Sequence, residues 1–236
     1  ILADKTGTLL EKGAYAYDPS GYHGPALHFA AVPVAIAAGA RTYVALNETV
    51  LRLVPALFGI LLVASPLLLA GGLDRGALAA AALFAAVSPA MVYYSRYYIP
   101  ETLLVCFTAG AIGCAYRCAG SGKAVWAVAA AICLAMMCAT KETAIISFAA
   151  MAIALGGEWR RARLRWLVAA AVAGLVTAGL LLTSFLTTYV HQAFHGPHHL
   201  HPWHYYLSLA CRTEAVILLF AVVGLATALR RPGLPR

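Results

Sequence analysis

The sequence predicts an all-α protein built as a polytopic bundle of transmembrane helices, and three observations support this fold class. Of its 236 residues, 62% are hydrophobic and only 11% are charged, under half of the roughly 25% charged residues of a soluble domain. The mean hydropathy is +0.80. The apolar residues form long runs that are hydrophobic on every side, as in helices that face lipid. This composition excludes a disordered chain, a collagen, a coiled coil and an ordinary soluble enzyme.

The first apolar stretch, residues 25–40, is predicted to lie along the membrane surface. It has about 16 residues, fewer than the roughly 20 that a transmembrane helix needs, and His28 and Pro33 interrupt it. On this interpretation residues 1–49 form an extracytoplasmic loop with an interfacial juxtamembrane helix. The alternative, in which this stretch spans the membrane and residues 17–23 lie in the cytoplasm, stays open.

Seven transmembrane helices are predicted within residues 50–230, which makes the chain a single transmembrane domain. A span needs about 17–25 mostly apolar residues, and seven stretches approach or reach that length. The predicted spans are residues 50–70, 77–94, 101–118, 123–139, 143–157, 166–190 and 215–229.

The distribution of charge predicts which side of the membrane each loop occupies. When the loops are assigned alternately to two sides, one side holds ten basic residues and two acids, and the other holds seven of each. The whole formal charge of +8 therefore lies on one face, which the positive-inside rule makes cytoplasmic. We expect a multi-pass protein of the cytoplasmic (inner) membrane. No nucleic-acid partner is expected, because the basic residues form no stripe on a polar surface.

Unusual polar clusters collect on the opposite, extracytoplasmic side. They are residues 17–25, 93–101, 140–142 and 191–214. Charges near membrane depth are costly, so they usually pair or mark a functional site. Arg96 lies five residues before Glu101, and Lys141 adjoins Glu142. All four are candidate site residues, and interfacial anchoring is the alternative for Arg96.

A His-rich extracytoplasmic loop is predicted at residues 191–209. Six of the eight histidines lie between His191 and His204, but no distinctive ligand spacing is present. The loop is interpreted as solvated, with a ligand or phosphate contact from one His as the alternative. Trp203, Tyr205 and Tyr206 lead into the last span, either as an interfacial belt or as a surface that stacks on a sugar.

Together these motifs resemble those of the GT-C membrane glycosyltransferases, relatives of protein O-mannosyltransferases and of the transferases that add aminoarabinose to lipid A. The strongest resemblance is to the flippase activity-associated proteins, predicted membrane mannosyltransferases. The motifs that carry it are, in chain order, Tyr17-Asp18-Pro19, Tyr22-His23-Gly24-Pro25-Ala26-Leu27, Leu51-Arg52-Leu53-Val54-Pro55-Ala56-Leu57, Ser88-Pro89, Tyr94-Ser95-Arg96, Thr140-Lys141-Glu142, Pro202-Trp203-His204-Tyr205-Tyr206 and Glu214.

The resemblance implies a GT-C-like fold and a hexosyltransferase that moves a sugar, with mannose suggested, from a polyprenyl-phosphate carrier to an extracytoplasmic protein or glycan. His23 stands where aminoarabinose transferases carry a Glu that helps to bind a metal. His23 and Asp18 are therefore the candidate ligands of a divalent metal ion. The catalytic acid of the family lies in an Asp-Glu pair early in the first loop. No such pair occurs here, and the chain starts at Ile1, so we expect that acid upstream of this fragment.

The chemistry of transfer suggests roles for the remaining polar residues. A departing phosphate needs cations, and an attacking hydroxyl needs a carboxylate to take its proton. Arg96 and Lys141 are the predicted phosphate contacts, and Glu101 and Glu142 are predicted to orient these cations. The candidate substrate contacts are Tyr22, Trp203, Tyr205, Tyr206 and Glu214.

Two functions from other classes stay open at this point. A transporter or flippase component for a polyprenyl-linked substrate would bind phosphate with the same cationic turns and do no chemistry. An inactive structural subunit of a membrane complex would also share the composition. Fold analogy does not separate these classes, whereas an upstream Asp-Glu pair would favour the transferase.

The interfacial interpretation of residues 25–40 predicts the accessibility of Gly21. A Gly21→Cys variant is expected to react with a membrane-impermeant maleimide added from the extracytoplasmic side, because residues 1–49 are predicted to lie there. Labelling only from the cytoplasmic side would instead establish residues 25–40 as a span.

Overall fold

The computed structural model describes residues 2–13, 15, 23–141 and 143–156, and in these residues the protein is all-α. Eight α-helices and two 3-10 helices form the described part, where the β-structure is limited to two isolated bridges. The helices are α1 (Leu2–Lys12), α2 (Ala26–Ala37), α3 (Glu48–Ala64), α4 (Arg75–Val87), α5 (Pro89–Tyr94), α6 (Glu101–Ser121), α7 (Ala124–Cys138) and α8 (Ala144–Gly156), with 3-10 helices at Tyr43–Ala45 and Ser65–Leu69. The predicted spans 166–190 and 215–229, and the His-rich loop 191–209, lie outside the described residues.

Two stretches are long and apolar enough to cross a membrane. They are Glu48–Leu69, in which α3 continues into a 3-10 helix, and Glu101–Ser121, which is α6. Their 22 and 21 residues match the roughly 20 that a bilayer core requires. They correspond to the predicted spans 50–70 and 101–118. The shorter helices α7 and α8 have 15 and 13 residues and occupy the positions of the predicted spans 123–139 and 143–157.

The predicted span 77–94 is not one helix, and that prediction was wrong. It divides at Ser88 into α4 and α5, because Pro89 has no N–H to donate and disfavours helical geometry in the residue before it. Ser88 is accordingly extended, with φ −56° and ψ 121°. Its Oγ accepts a hydrogen bond of 3.3 Å from the backbone N–H of Met91, which starts the new helix.

Helix α6 lies at the centre of the described bundle, where it packs along α7 and against α3. One apolar cluster joins Leu27 of α2, Val54 of α3 and Leu103 of α6. A second joins α6, α7 and α8 through Ala111, Met137 and Ala144. Within lipid such contacts act by close packing more than by release of water.

Large apolar side chains also cover the outside of the bundle. Ile60 is 66% exposed, Val125 63% and Ile145 64%. A soluble domain rarely exposes an apolar surface of this extent, whereas a bilayer solvates it. Together with the two long helices, this exterior confirms the all-α membrane fold that the composition predicts.

The segment before α3 consists of α1 and α2, which pack against each other, and α2 also packs on α3. Neither His28 nor Pro33 interrupts α2, which runs through both. Its 12 residues extend about 18 Å, well short of the roughly 30 Å of a bilayer core. This length is consistent with an interfacial helix, and its position in a bilayer stays a prediction.

His28 is buried in this segment, with 1% of its surface exposed. Burial, followed by repulsion from Lys5 and from His23, lowers its pKa from 6.5 to about 4. The folded protein therefore holds a neutral imidazole at this position at neutral pH.

This burial predicts a loss of stability in mild acid. Below pH 6.5 the unfolded chain binds a proton at His28 that the folded chain does not bind, so the free energy of unfolding falls as the pH drops toward 4, by up to about 3 kcal/mol. Thermal melting of detergent-purified protein, followed by circular dichroism between pH 7 and pH 4.5, measures this loss. The loss is expected to be smaller in His28→Asn, and an unchanged pH dependence in that variant would contradict the prediction.

Candidate functional site

Two segments far apart in sequence meet through their backbones at the start of α2. His23 and Lys141 face each other in an isolated antiparallel bridge. The N–H of Gly24 donates to the carbonyl of Thr140 at 3.0 Å, and the N–H of Ala26 donates to the carbonyl of Ala139 at 3.0 Å. The second bond satisfies a donor in the first turn of α2, which has no partner within the helix. The end of α7 thus positions His23.

The close approach of these segments requires Gly24. A Cβ at this position would lie 2.1 Å from the carbonyl oxygen of Ala139 and 2.5 Å from its carbonyl carbon. Both are backbone atoms and cannot move aside as a flexible side chain would. Glycine at position 24 allows the neighbouring backbone to approach this closely. The sequence alone did not predict this role.

An ion pair joins this bridge to the start of α6. The Nζ of Lys141 lies 2.7 Å from Oε1 of Glu101, and the two side chains are only 19% and 30% exposed. Glu101 occupies the first turn of α6, where the helix dipole favours a negative charge. Because both groups are partly withdrawn from solvent, their attraction is screened less than that of a surface pair.

Two polar atoms beside this ion pair are buried without a hydrogen-bond partner among the described residues. They are Oε2 of Glu101 and Oγ1 of Thr102, and Thr102 is 3% exposed. Buried polar groups are nearly always hydrogen-bonded. The first turn of α6 therefore has an unused acceptor and an unused hydroxyl next to a cation.

Arg96 lies in a different environment from Lys141. It lines an open groove of about 560 Å³ between α3 and α5, together with Arg52, Tyr93 and Tyr97. The guanidinium of Arg52 stacks over the Tyr97 ring at 5.4 Å, and the Tyr93 and Tyr97 rings are 4.7 Å apart. This groove combines two cations with an aromatic wall.

The ion-pair partners differ from those that the sequence suggested. Within the described residues Glu101 pairs with Lys141, not with its sequence neighbour Arg96. The i, i+4 spacing of Glu48 and Arg52 predicts a pair on the helix surface, and their contact of 2.5 Å confirms it.

Several candidate residues lie outside the described residues, so the structure does not place them. They are Asp18, Tyr22, Glu142, Trp203, Tyr205, Tyr206 and Glu214. His23 is described and half-buried, but among the described residues no group of three His, Cys, Asp or Glu side chains is arranged to hold a metal. The metal predicted at His23 and Asp18 stays a prediction.

The sequence matches the protein family described as dolichyl-phosphate-mannose-protein mannosyltransferase over residues 31–192. This match covers more than half of the chain, including Arg96, Glu101 and Lys141. The chain belongs to that family. No curated protein and no solved structure matches it.

Membership confirms the GT-C mannosyltransferase-like resemblance that the motifs suggested. It makes the chain a glycosyltransferase of the membrane mannosyltransferase type. The match begins after His23 and ends before Trp203, so the two motifs before residue 31 and the two after residue 192 add information that the family match does not contain.

The contact at Gly24 predicts that even one methyl group is harmful. Gly24→Ala is expected to lower the free energy of unfolding by about 1–3 kcal/mol, the usual cost of overpacking, and to separate His23 from Lys141. Gly120→Ala is the matched control, because a Cβ there meets open space at the end of α6. Thermal melting measures both variants, and equal midpoints would contradict the prediction.

Proposed function

We propose that this mannosyltransferase moves a mannosyl group from a polyprenyl-phosphate donor to a hydroxyl of an extracytoplasmic protein. The family description supports this donor and acceptor. The single observation that carries the proposal is the meeting of His23, Lys141 and Glu101 at one end of the bundle. A partly buried cation suits a reaction whose leaving group is a phosphate.

In the proposed step the acceptor oxygen attacks the anomeric carbon of the sugar and forms the new glycosidic bond. The bond between that carbon and the phosphate oxygen breaks, and its electron pair leaves with the polyprenyl phosphate. A carboxylate takes the proton of the acceptor hydroxyl. The family resemblance assigns that carboxylate to an Asp-Glu pair, which does not occur in this sequence.

Lys141 is the residue proposed to stabilise the departing phosphate. Its ammonium is held in place by Glu101 before the reaction, so little reorganisation accompanies the growth of negative charge. Glu101 orients Lys141 through Oε1, while its Oε2 is buried without a hydrogen-bond partner among the described residues. The carbonyls of Ala139 and Thr140 accept hydrogen bonds from the start of α2, and Lys141 itself is paired with Glu101 on α6. These contacts hold the ammonium group in place.

Arg96 is proposed to contact the donor from the groove on α3 and α5. Its guanidinium suits a phosphate, and the flanking Tyr93 and Tyr97 suit the boundary between headgroups and lipid tails, where aromatic rings concentrate. We place this face on the extracytoplasmic side of the inner membrane. Membrane lipids are then the natural neighbours of the groove.

The described residues do not fit a metal site. The one candidate ligand that they include, His23, faces Lys141 in the bridge, and no group of three ligating side chains surrounds it. The proposal that a divalent ion binds His23 depends on Asp18.

This assignment predicts a large effect of removing the Lys141 charge. Lys141→Met is expected to lower the turnover number by about 100-fold or more, as loss of a transition-state charge contact does. Glu101→Gln is expected to lower it less, and the double variant no further than Lys141→Met, because the two residues act as one unit. The assay uses the intact protein in vesicles with a short-chain polyprenyl-phosphate mannose and a Ser/Thr peptide.

Lys12→Met is the matched control, since Lys12 is an exposed residue in the last turn of α1. It should retain the turnover number of the unmodified protein. A Lys141→Met enzyme within about threefold of normal, under roughly 1 kcal/mol, would refute the assigned role. Binding of the donor without any product would point instead to a transport component.

A further inference from the structure

A buried hydrogen-bonded cluster connects α1, α2 and the turn before α6. The Oγ1 of Thr6 lies 2.8 Å from Nδ1 of His28 and 2.7 Å from the hydroxyl of Tyr98. Thr6 is 0% exposed and His28 is 1% exposed. We call these three residues the outer clamp. Nothing in the proposed chemistry uses them directly.

The protons of the outer clamp can all be accounted for. A threonine hydroxyl has one proton and two lone pairs, and Thr6 Oγ1 has a third neighbour, the carbonyl of Leu2, at 3.2 Å. If Thr6 donates to Leu2, then Nδ1–H of His28 donates to Thr6. The O–H of Tyr98 has two acceptors, Thr6 Oγ1 at 2.7 Å and the carbonyl of Leu27 at 3.5 Å, and the shorter contact is the one to Thr6. Every hydrogen-bonding position of the hydroxyl is then filled, which fixes the three side chains relative to one another.

The surroundings of the outer clamp are apolar. Leu27 and Leu103 form the adjoining core cluster, and Tyr98 packs against that cluster. The ring of Tyr15 lies 5.7 Å from that of His28. Apolar residues at these positions could fill such a core with little loss of stability, whereas a fully satisfied polar cluster selects one arrangement of its elements.

The outer clamp closes a ring of contacts around the candidate site. His28 is five residues beyond His23, and Tyr98 is three residues before Glu101. His23 faces Lys141 in the bridge, and Lys141 is paired with Glu101. Thr6 is hydrogen-bonded to both His28 and Tyr98. It therefore connects the segment that carries His23 to the segment that carries Glu101. Any shift of α2 against α6 therefore changes the clamp and the site together.

We propose that Thr6, His28 and Tyr98 are positioning residues, whose cluster holds His23 and Glu101 at the spacing that Lys141 requires for transfer. This inference rests on the proposed function for its effect on turnover. Its structural part, the link between the clamp and the bridge, is independent of any reaction.

The first experiment deletes one oxygen atom from the clamp. Thr6→Val keeps the shape of the side chain and removes the hydroxyl, and Thr6→Ser keeps the hydroxyl. Thr8→Val is the matched control on the same helix, because its hydroxyl donates to the carbonyl of Asp4 within α1. Turnover number and KM for a short-chain polyprenyl-phosphate mannose are measured in vesicles for each variant.

Thr6→Val is expected to lower the turnover number at least tenfold with KM changed less than twofold, and Thr6→Ser is expected to restore at least half of it. Thr8→Val should resemble the unmodified protein. Equal turnover in Thr6→Val and Thr8→Val would overturn the proposal. If Thr6→Val fails to fold, Tyr98→Phe is tested instead, because it removes the other hydroxyl of the hydrogen bond between Thr6 and Tyr98.

The second experiment tests the proximity of positions 23 and 141 without measuring sugar transfer. In a variant whose native cysteines are replaced, His23→Cys and Lys141→Cys are introduced together, and the rate of disulfide formation with a mild oxidant is measured. Residues that face each other in an antiparallel bridge are about 4.5–5.5 Å apart at Cα, within the range of a disulfide.

Adding Thr6→Val is expected to slow this cross-linking at least fivefold, and adding Thr8→Val is expected to leave it unchanged. A rate within twofold in both would refute the link between the clamp and the bridge. Absence of transfer by the unmodified protein would refute the proposed function and leave this geometric result standing, so the two failures are distinguishable.

Discussion

The backbone contact between Gly24 and Ala139 is the constraint on which the candidate site depends. It brings the entrance of α2 against the end of α7, and it does so only because position 24 has no side chain. Lys141 follows this contact directly and meets Glu101 on α6. Three segments that are distant in sequence are thereby held at one end of the bundle. The ion pair is a consequence of the backbone contact and of the packing of α6 on α7.

Several of the polar contacts among the described residues gather near the start of α6. The outer clamp, the Lys141–Glu101 pair and the stacked Arg52–Tyr97 contact lie on a few neighbouring elements near the start of α6. Other described helices expose large apolar side chains, such as Leu83, Val128 and Ile145. This division follows from the cost of a charge or an unpaired hydroxyl in lipid, and it concentrates the chemistry in the same region as the hydrogen bonds that make it rigid.

Sequence reasoning predicted the elements that apolar length alone determines. The start of α6 at Glu101 follows from Pro100, and the predicted span 50–70 corresponds to Glu48–Leu69. Charge counting also predicted that His23, Glu101 and Lys141 share one side of the membrane, and the structure brings these three residues close together. Charge counting could not identify Lys141 as the partner of Glu101, because 40 residues separate them and only packing of α6 on α7 decides the pairing. The break at Ser88 was missed although Pro89 was visible, since the run of apolar residues continues across it.

The pairing of Glu101 with Lys141 has a consequence for how this part of the chain enters a membrane. The two residues close the open end of a helical hairpin made of α6 and α7. Within residues 101–141 the only other charges are Arg117 and Lys123, which lie at the turn of the hairpin. The turn therefore carries two basic residues and the open end carries one. The positive-inside rule counts Lys and Arg and gives acids little weight, so this excess favours one orientation of the hairpin. The pairing of Lys141 with Glu101 lowers the cost of holding these two charges near membrane depth.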